Sequence, residues 1–400
     1  MAKSTIRRNI IIAGAGIAGL TGALALAQKG FRVLVLEKRR EPAEEGAGIQ
    51  VSPNAYKILS ALGLGRAVQL ASNAPAAIDI RSGGSGELVT SFRLGASFRK
   101  RHNAPYLVLH RADLLNILLN ACKDVGAIQI RNGVEVTDAA THANGVTLLL
   151  KDGTAIEEIH GVAVIGADGI WSNLRRSMET LSPPRFSGHI AWRGLIPMKE
   201  VSEAFSKPIT GLWLGQGSHL VHYPVQRGTM LNVVAITPWQ GANEPPRGWI
   251  ADCPDEQRLS PFAEWHQDVI DLLNVETKWG GWSIHAVDRA TCPYHQHICL
   301  IGDAAHAMLP YAAQGGAAGI EDAAVLAEAC AENAKDMEQA FQAFWQKREK
   351  RLNKLVSLAQ TNRKIYHLPS RSAAVRDFTL GLVPQPLLQW RMDWNYGWEI

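Results

Sequence analysis

The first forty residues alternate between apolar runs and short breaks in a way that predicts a strand, a helix and a second strand. Residues 9–13 form an apolar run of strand length, residues 20–28 continue the apolar character over helical length, and residues 32–37 form a second run of strand length. The chain between the first run and the helix has a G-x-G-x-x-G frame, at Gly14, Gly16 and Gly19. The pattern therefore predicts a βαβ unit with a glycine-rich turn after its first strand.

A turn of this kind suits the phosphates of a dinucleotide. The glycines permit a tight turn, backbone approach to a pyrophosphate and close helix packing, while the helix amino terminus supplies N–H donors. Glu37 ends the second strand 18 residues beyond Gly19, where a carboxylate accepts hydrogen bonds from an adenosine ribose and repels a 2′-phosphate. We therefore expect FAD or NAD, with a plain βαβ core unit as the alternative. The expected contacts are Gly14, Gly16, Ala18, Gly19, Glu37 and Lys38.

The rest of the chain falls into segments of different pattern. A helix is expected from Pro53, and residues 104–126 are typical of a strand running into a helix. Residues 186–284 contain short runs rich in Trp, Val and Thr, such as "GLWLGQ", "SHLVHYPV" and "TMLNVVAIT", which favour a mostly antiparallel sheet. A buried strand, a glycine-containing turn and a long Ala-rich helix follow in residues 297–330. The nucleotide-binding part is therefore expected to be discontinuous.

Composition and charge narrow the class of protein. A chain of 400 residues with 46% hydrophobic and 20% charged residues can bury a large core. Its net charge of +4 is spread without a long basic tract, so no nucleic-acid partner is expected, and no further apolar span is long enough to predict an integral membrane helix. Five cysteines without a C-x-x-C pair argue against disulfides and a zinc site. We expect a cytoplasmic protein without a metal.

Residues 337–358 keep helical spacing of their apolar positions. Aromatic and aliphatic side chains recur along one side of the expected helix, and the charged run "QKREKR" falls on the other side. We expect this charged run to be a solvated helix face.

Two further segments contain short motifs with an aspartate next to a glycine. "VAVIGADGIWSNLRR", residues 162–176, contains a DG motif, and "LIGDAAHAMLPYAAQGGAAGIEDAAVL", residues 300–326, contains a GD motif followed by a helix. Together with the glycine-rich turn, they resemble the FAD-dependent aromatic hydroxylases, the single-component flavoprotein monooxygenases that act on p-hydroxybenzoate, salicylate, 3-hydroxybenzoate and 6-hydroxynicotinate. The resemblance covers nearly the whole chain.

The resemblance implies a function and its cofactors. It implies noncovalent FAD, NADH or NADPH as co-substrate, and O₂, with hydroxylation of a small phenolic or N-heteroaromatic substrate through a flavin C4a-hydroperoxide. The resemblance is also compatible with a homodimer. An FAD-dependent reductase or dehydrogenase of the same fold, an epoxidase and a flavin-binding module without catalysis remain open alternatives at this point.

The fold class and domain boundaries follow from the pattern and the resemblance together. We expect an α/β fold in which a Rossmann-like FAD-binding domain is interleaved with a mostly antiparallel β-sheet domain for the substrate, followed by carboxy-terminal helices. The FAD-binding domain is expected at residues 1–75, 105–185 and 285–330. The substrate domain is expected at residues 76–104 and 186–284, and the helical region at residues 331–400.

The resemblance also assigns cofactor-binding residues outside the glycine-rich turn. Asp168 takes the place of the DG aspartate, which is associated with FAD and nicotinamide binding, and Asp303 takes the place of the GD aspartate, which accepts hydrogen bonds from the ribityl chain. Arg111 matches an arginine near the pyrophosphate and ribityl region. Backbone N–H groups near Gln314 are expected to face the flavin. The remaining expected flavin contacts are Gly48, Ile49, Gln50, Pro310, Gly315 and Gly316.

The segment "SHLVHYPV" is expected to supply the catalytic base. Because side chains alternate along a strand, His219, Val221 and Tyr223 share one face, and His222 lies on the other. The hydroxybenzoate and hydroxynicotinate hydroxylases carry a His and a Tyr four residues apart on such a strand, in contact with the substrate. We expect His219 to be the general base because imidazole titrates near neutrality. His222 is the alternative if the strand faces the other way.

Other side chains complete the expected pocket. Pro310 and Tyr311 follow the GD motif where the loop passes beside flavin and substrate in the family. Tyr311 is therefore expected to donate a hydrogen bond to a substrate oxygen, with a packed aromatic ring beside the flavin as the alternative. His306 is expected to be structural. Trp213 and Trp282 are candidates for an aromatic wall, with core packing as the alternative. The three short runs contain no arginine, so we expect no carboxylate clamp from these strands, and the substrate is either uncharged or held from elsewhere.

Overall fold

The computed structural model describes residues 9–41, 48–178, 181–250 and 254–400. Strands and helices alternate irregularly along these ranges. The strands are β1 (Asn9–Ala13), β2 (Arg32–Glu37), β3 (Gly48–Val51), β4 (Ala77–Ser82), β5 (Leu88–Arg93), β6 (Leu107–His110), β7 (Ile128–Asn132), β8 (Val134–His142), β9 (Gly145–Asp152), β10 (Ala155–Gly161), β11 (Ala163–Gly166), β12 (Arg185–Pro197), β13 (Thr210–Leu214), β14 (His219–Val225), β15 (Met230–Pro238), β16 (Trp249–Ile250), β17 (Gly280–Ala286), β18 (Tyr294–His295) and β19 (Ile298–Leu300). The helices are α1 (Ile17–Gln28), α2 (Pro53–Ala61), α3 (Gly65–Ala71), α4 (Ala96–His102), α5 (Arg111–Lys123), α6 (Asn173–Arg176), α7 (Asp255–Leu259), α8 (Gln267–Asn274), α9 (Asp303–His306), α10 (Gly315–Glu332), α11 (Met337–Tyr366), α12 (Ser370–Gly381) and α13 (Gln385–Tyr396).

The first sheet has the strand order β18-β19-β11-β1-β2-β7, and its strands are parallel except for β18. Its central strand β1 is buried on both faces, which explains why the sequence there is an unbroken apolar run. Helices α1, α5 and α10 share an apolar core on one face. The antiparallel sheet β8-β9-β10 covers the other face. The predicted βαβ unit and the interleaved α/β fold are confirmed.

The second sheet has the order β16-β17-β12-β15-β14-β13-β4-β5 and is antiparallel apart from the pair β13 and β4. One face carries Trp192, Trp213 and Leu220 and packs against α8 and the segment around Phe262. The other face carries Ala191 and Ile236, which pack against the segment of Leu309 and against α11. The second face thus looks toward the first sheet, and a third, two-stranded sheet of β3 and β6 lies between the two large ones.

Helix α11 joins these layers over its 30 residues. Within the charged run "QKREKR", the prediction of a solvated face is wrong for two arginines, because Arg348 is fully buried and Arg351 is 7% exposed. Arg348 forms ion pairs of 2.7 Å with Glu321 and 2.8 Å with Asp322, and Arg351 pairs with Glu321 at 2.6 Å. These acids on α10 compensate the buried charges, so the run locks α11 onto α10.

Helices α12 and α13 end the chain and pack against β5. Within the described ranges, no helix combines the length and the apolar character needed to cross a bilayer.

Candidate active site

The glycine-rich turn has the geometry that a phosphate site needs. Gly14 has φ +105°, and a Cβ on it would lie 2.4 Å from the carbonyl oxygen of Ala167. A Cβ on Gly19 would lie 2.0 Å from the carbonyl oxygen of Gly14. Gly16 precedes the first turn of α1, and a Cβ there would meet no atom of the described residues within 4 Å. The first and third glycines are therefore required by packing, while the second leaves open space before the helix amino terminus.

Glu37 is fixed beside this turn. Its Oε2 accepts a hydrogen bond of 2.8 Å from the N–H of Ala15, and its Oε1 accepts one of 2.9 Å from the N–H of Arg39. Lys38 follows it and is exposed. Ala18 points inward, since its Cβ lies 3.1 Å from the position that a Cβ on Gly302 would take, and it serves the packing of α1 against the GD turn.

Asp168 follows β11 and adjoins the same turn. Its Oδ2 accepts a hydrogen bond of 2.9 Å from the N–H of Asn173. Its Oδ1 is buried and has no hydrogen-bond partner among the described residues. Burial raises the pKa of this carboxyl, and hydrogen bonds from Ser172 and neighbouring backbone groups oppose the rise. A buried acceptor without a partner suits a ligand that donates a hydrogen bond.

Asp303 and the amino terminus of α10 form a second part of the cofactor site. The Asp303 side chain is exposed, and its Oδ1 lies 3.9 Å from the position that a Cβ on Gly315 would take. A Cβ on Gly316 would lie 2.9 Å from Cδ1 of Ile49. Gly315 opens a helix of 18 residues without an acid in its first turn, so its N–H groups keep a favourable dipole for negative charge.

A buried network that the sequence did not reveal holds this end of α10. The Gln314 side chain donates to Ser52 and accepts from Asn54, both at 3.1 Å. Asn54 donates in turn to Glu321 at 2.6 Å. The network ties α2 to α10, and the only signal for it is a set of polar residues inside otherwise apolar helices.

Strand β3 connects the cofactor side to the second sheet. The Gly48 N–H donates a hydrogen bond of 2.6 Å to Oδ1 of Asn232. A Cβ on Gly48 would lie 2.4 Å from Cε2 of Tyr223. Tyr106, which sequence reasoning missed, donates its hydroxyl hydrogen bond to Gln50. Gly48 and Gln50 are therefore in contact with the second sheet as well as next to the flavin-side elements.

His219 is buried among histidine and tyrosine side chains. It is 1% exposed, and its Nδ1 lies 2.8 Å from Nε2 of His367. The ring of Tyr311 is 5.1 Å away and that of Tyr366 is 5.4 Å away. Burial, together with nearby His367 and His189, holds the pKa of His219 well below its ordinary value. The imidazole is therefore neutral, with one ring nitrogen as a hydrogen-bond acceptor, and its surroundings disfavour a proton that stays on it.

Tyr223 and Tyr311 bring hydroxyl groups to the same region. Tyr223 is 3% exposed on the His219 face of β14, and burial raises its pKa. Tyr311 lies in a 3₁₀ turn that begins at Pro310, and burial raises its pKa as well. The Tyr311 hydroxyl is buried without a hydrogen-bond partner among the described residues. Both groups stay protonated and can donate a hydrogen bond to an oxygen.

His222 lies on the opposite face, as the alternation of the strand predicts. Its ring packs edge-on against Phe205 at 4.8 Å, and burial lowers its pKa to about 3. Trp213 shares that core, 5.5 Å from Phe205, so it does not line the pocket. Trp282 is on the His219 face. His306 contacts Asp322 at 2.5 Å inside the core.

A half-buried arginine on this face is the main residue that sequence reasoning missed. Arg193 on β12 is paired with Val234, which puts it on the His219 face, and its guanidinium lies 5.9 Å from the ring centroid of Trp282. Its Nε is buried without a hydrogen-bond partner in the described part of the chain. Burial, together with the nearby charge of Arg111, lowers its pKa to about 10. The signal was a single charge within the apolar strand "HIAWRGLIP".

Arg111 is exposed at the first position of α5, directly after the β6 residue that pairs with Gly48. Arg111 and Arg193 repel each other, so an anionic ligand near them would be stabilised. Within the described residues, no group of three or more His, Cys, Asp or Glu side chains is arranged to hold a metal ion.

The chain is similar to known proteins over nearly its whole length. The profile of the FAD binding domain family matches residues 7–359. The chain is 35% identical over 400 residues to 3-hydroxybenzoate 6-hydroxylase 1 of Aquipseudomonas alcaligenes, covering 98% of each chain. It is 35% identical over 403 residues to a 3-amino-4-hydroxybenzoate 2-monooxygenase of Streptomyces platensis, covering 99% of this chain and 97% of the relative. The crystal structure of Klebsiella pneumoniae HpxO complexed with FAD and uric acid superimposes with a TM-score of 0.84 at 27% identity, over 97% of this chain and 96% of that chain.

The chain therefore belongs to the FAD binding domain family. It is an FAD-dependent aromatic monooxygenase, as its motifs predicted. The residues present fit the cofactor for three reasons. Among the described residues, the space at Gly16 is open and a buried acceptor of Asp168 has no partner. The α10 amino terminus has no acid in its first turn.

Proposed function

We propose that this enzyme hydroxylates a small aromatic acid with an ionisable ring hydroxyl, a hydroxybenzoate or a hydroxypyridine carboxylate, using NADH or NADPH and O₂. The observation that carries the proposal is that His219 and Arg193 project from the same face of one sheet. A base for a hydroxyl and a cation for a carboxylate are thereby presented to one ligand. The named relatives that act on hydroxybenzoates support this substrate class.

The spacing of the strands supports binding of one ring between the two groups. Arg193 pairs with Val234, and Val234 pairs with Val221, so two strand spacings separate the backbones of Arg193 and Val221. That distance is about 10 Å. His219 is the next residue on the same face of β14. An aromatic ring with hydrogen bonds at both ends suits this span.

The chemistry of the chain's own residues follows from their environment. Nδ1 of His219 is engaged with His367, so Nε2 is the atom that takes the proton of the substrate hydroxyl. Loss of this proton raises the electron density of the ring. Tyr311 and Tyr223 donate hydrogen bonds to oxygen atoms attached to the substrate ring. The apolar side chains around Tyr311 exclude water. Bound FAD supplies the activation of O₂ and the transfer of one oxygen atom.

We propose that FAD is held noncovalently along three elements. The turn of Gly14, Gly16 and Gly19 and the α1 amino terminus bind the pyrophosphate, Glu37 binds the ribose, and α10 faces the flavin ring. The further residues proposed for FAD are Ala18, Lys38, Gly48, Ile49, Arg111, Asp168, Asp303, Pro310, Gly315 and Gly316.

The test is consumption of NADH or NADPH by the FAD-loaded enzyme against matched ligands, with mass spectra of the products. The panel contains 3-hydroxybenzoate, 4-hydroxybenzoate, salicylate and 6-hydroxynicotinate, each beside its carboxamide. We expect at least one acid to gain one oxygen atom and its carboxamide to react at least ten-fold less efficiently. Oxidation of the nicotinamide without oxygen incorporation for any ligand would instead indicate a reductase.

We also propose a homodimer formed through the carboxy-terminal helices. The apolar patch is defined as five exposed side chains on α12, directly after it and on α13, with exposed fractions from 49% to 70%: Val375, Phe378, Leu382, Leu387 and Trp390. Large exposed apolar patches mark protein–protein interaction sites. Light scattering of the purified protein tests the proposal, and a monomeric mass at micromolar concentration would refute it. A cytoplasmic location is proposed as well, in keeping with the free thiols of Cys122, Cys299 and Cys330.

We propose the domain division that the sequence suggested. The strands of the parallel sheet come from residues 9–37, 128–132, 163–166 and 294–300, and those of the second large sheet come from residues 77–93 and 185–286. Limited proteolysis tests the division, since cleavage is expected at segment junctions before it occurs inside either sheet.

A further inference from the structure

His219 is linked to a second histidine from a distant part of the chain. His367 follows the last residue of α11, and its Nε2 lies 2.8 Å from Nδ1 of His219. His189 stacks on His367 with ring centroids 4.9 Å apart and an interplanar angle of 24°. A hydrogen bond between two imidazoles requires that one nitrogen donates and the other accepts, so His367 controls the tautomer of His219.

A cavity lies behind this pair of histidines. It has a volume of about 610 Å³, and His189 and His367 line it together with the exposed residues Arg185, Asp288 and Lys364. Arg185 and Asp288 form an ion pair of 3.4 Å. Because its lining runs from exposed charged residues to the ring of His367, the cavity gives water a route to this histidine.

The surroundings disfavour a proton that stays on either imidazole. Burial, together with nearby His189, Arg363 and Arg376, lowers the pKa of His367 to about 3. The other titratable groups in contact are the neutral rings of Tyr311 and Tyr366. No acid is among the groups that shift the pKa of His219 or of His367. A proton taken from a substrate must therefore move on for the pair to remain neutral.

We propose that His367 relays the proton of the substrate hydroxyl from His219 to water in the cavity. The inference rests on the proposed function of His219 as the base. His367 does not touch the substrate, so it is a positioning residue that acts through His219.

Each proton transfer in the relay has a defined donor atom and a defined acceptor atom. In the resting state, Nδ1–H of His219 donates to Nε2 of His367, and Nε2 of His219 is a free acceptor. The substrate O–H bond breaks as an Nε2–H bond forms on His219. The Nδ1 proton of His219 passes to Nε2 of His367, and the Nδ1 proton of His367 passes to a cavity water. Both imidazoles end neutral in exchanged tautomers, and the reverse path returns the proton to the product.

The experiment follows substrate ionisation in the FAD-loaded enzyme without NADH or NADPH. 3-Hydroxybenzoate is mixed with enzyme at neutral pH in a stopped-flow instrument, phenolate absorbance reports deprotonation, and an indicator dye in weak buffer reports proton release. His367→Gln keeps a hydrogen-bond acceptor for Nδ1 of His219 but cannot pass a proton. We expect His367→Gln to slow both signals at least ten-fold. The exposed His160→Gln is the matched control and is expected to leave both rates unchanged.

A second variant separates the relay from a purely structural role. His367→Ala is expected to be as slow as His367→Gln and to recover at least ten-fold when imidazole is added, because the cavity admits a molecule of that size. Normal rates for His367→Gln, or no recovery of His367→Ala with imidazole, would overturn the relay. If the wild-type enzyme does not ionise the ligand, or His219→Ala ionises it as fast, the proposed base is wrong and the relay fails with it.

Discussion

Gly48 of β3 lies directly against Tyr223 of β14, although the two residues belong to different sheets. A Cβ on Gly48 would come within 2.4 Å of Tyr223 Cε2, and the Gly48 N–H donates to Asn232 beside it. The contact has no room for a side chain, so the flavin-side strand and the substrate-side strand are held at a fixed separation.

The first prediction concerns this contact. Gly48→Ala should displace the Tyr223 ring and reduce kcat/KM for hydroxylation by roughly ten-fold to a hundred-fold, because a misplacement of about 1 Å disturbs the reacting geometry. Steady-state kinetics with product quantification measure the effect. Gly84→Ala is the control, since a Cβ there would meet nothing within 4 Å in the described part of the chain. Equal activity of both variants would contradict the rigidity of the contact.

The second prediction concerns FAD affinity. Asp303→Ala should release FAD more readily, because removing a charge-assisted hydrogen bond costs about 1.5 to 3 kcal/mol, which corresponds to a ten-fold to hundred-fold loss in affinity. Fluorescence titration of the apoprotein with FAD measures the dissociation constant. The exposed Asp138→Ala should bind FAD like the wild type. Unchanged affinity in Asp303→Ala would remove this carboxylate from the cofactor site.

The third prediction separates the two histidines of β14. His219→Ala should keep its fold and FAD but hydroxylate about a hundred-fold more slowly, because the general base is lost. His222→Ala should lower the free energy of unfolding, because its ring fills the core beside Phe205, and should leave the turnover of the folded enzyme nearly unchanged. Turnover numbers and denaturant titrations of both variants decide the assignment, and reversed results would exchange the two roles.

The fourth prediction concerns the substrate carboxylate. Arg193→Met should raise KM for an acid substrate by roughly ten-fold to a hundred-fold and change KM for the corresponding carboxamide much less, because only the acid loses a charged partner. Arg81→Met is a matched control, since Arg81 also lies over a tryptophan, Trp213, but on the opposite face of the sheet. An equal rise for acid and carboxamide would mean that Arg193 acts on something other than the carboxylate.

The fifth prediction concerns the buried charges between α10 and α11. Arg348→Met should destabilise the fold by about 3 to 5 kcal/mol, because Glu321 and Asp322 lose their partner in the core. The exposed Lys350→Met on the same run should stay within about 0.5 kcal/mol. Urea unfolding followed by circular dichroism measures both values, and similar stabilities would mean that the ion pairs contribute little.

The same ion-pair cluster makes the stability of the fold depend on pH in the acid range. Burial alone would raise the pKa of Asp322, but His306, Arg348 and the N–H of Gly302 outweigh it and lower the pKa to about 2 from 3.8. The contribution of Asp322 is therefore fully present above pH 3.8 and is lost as the pH falls through about 2. The free energies of unfolding of the wild type and of Asp322→Asn, measured by denaturant titration at several pH values, should become more alike as the pH falls from 3.8 to about 2.

The parts of this enzyme that could be predicted from sequence are those encoded within a single segment. The turn of Gly14, Gly16 and Gly19 and the alternation of His219 and His222 depend on residues only a few positions apart, so local spacing determines them. The pairs that were missed join distant segments. His219 and His367 are 148 positions apart, and Arg193 reaches the site only through the register of β12 against β15.

Buried charge was the second source of error. The run "QKREKR" has the composition of a solvated face, and nothing within it distinguishes Arg348 from Lys350. The distinction comes from Glu321 and Asp322 on another helix, because the buried charge of Arg348 is compensated by ion pairs with these acids.

Helix α11 is anchored at Arg348 and ends next to His367, with its 30 residues extending over about 45 Å. Each added residue turns a helix by about 100° and advances it by about 1.5 Å. A single insertion after Arg351 would therefore swing His367 away from His219 while the anchor stays in place, and a single deletion would do the same in the opposite sense. The number of residues between Arg348 and His367 is therefore constrained by the position that His367 must take. Substitutions in this part of the helix are tolerated more easily than insertions or deletions.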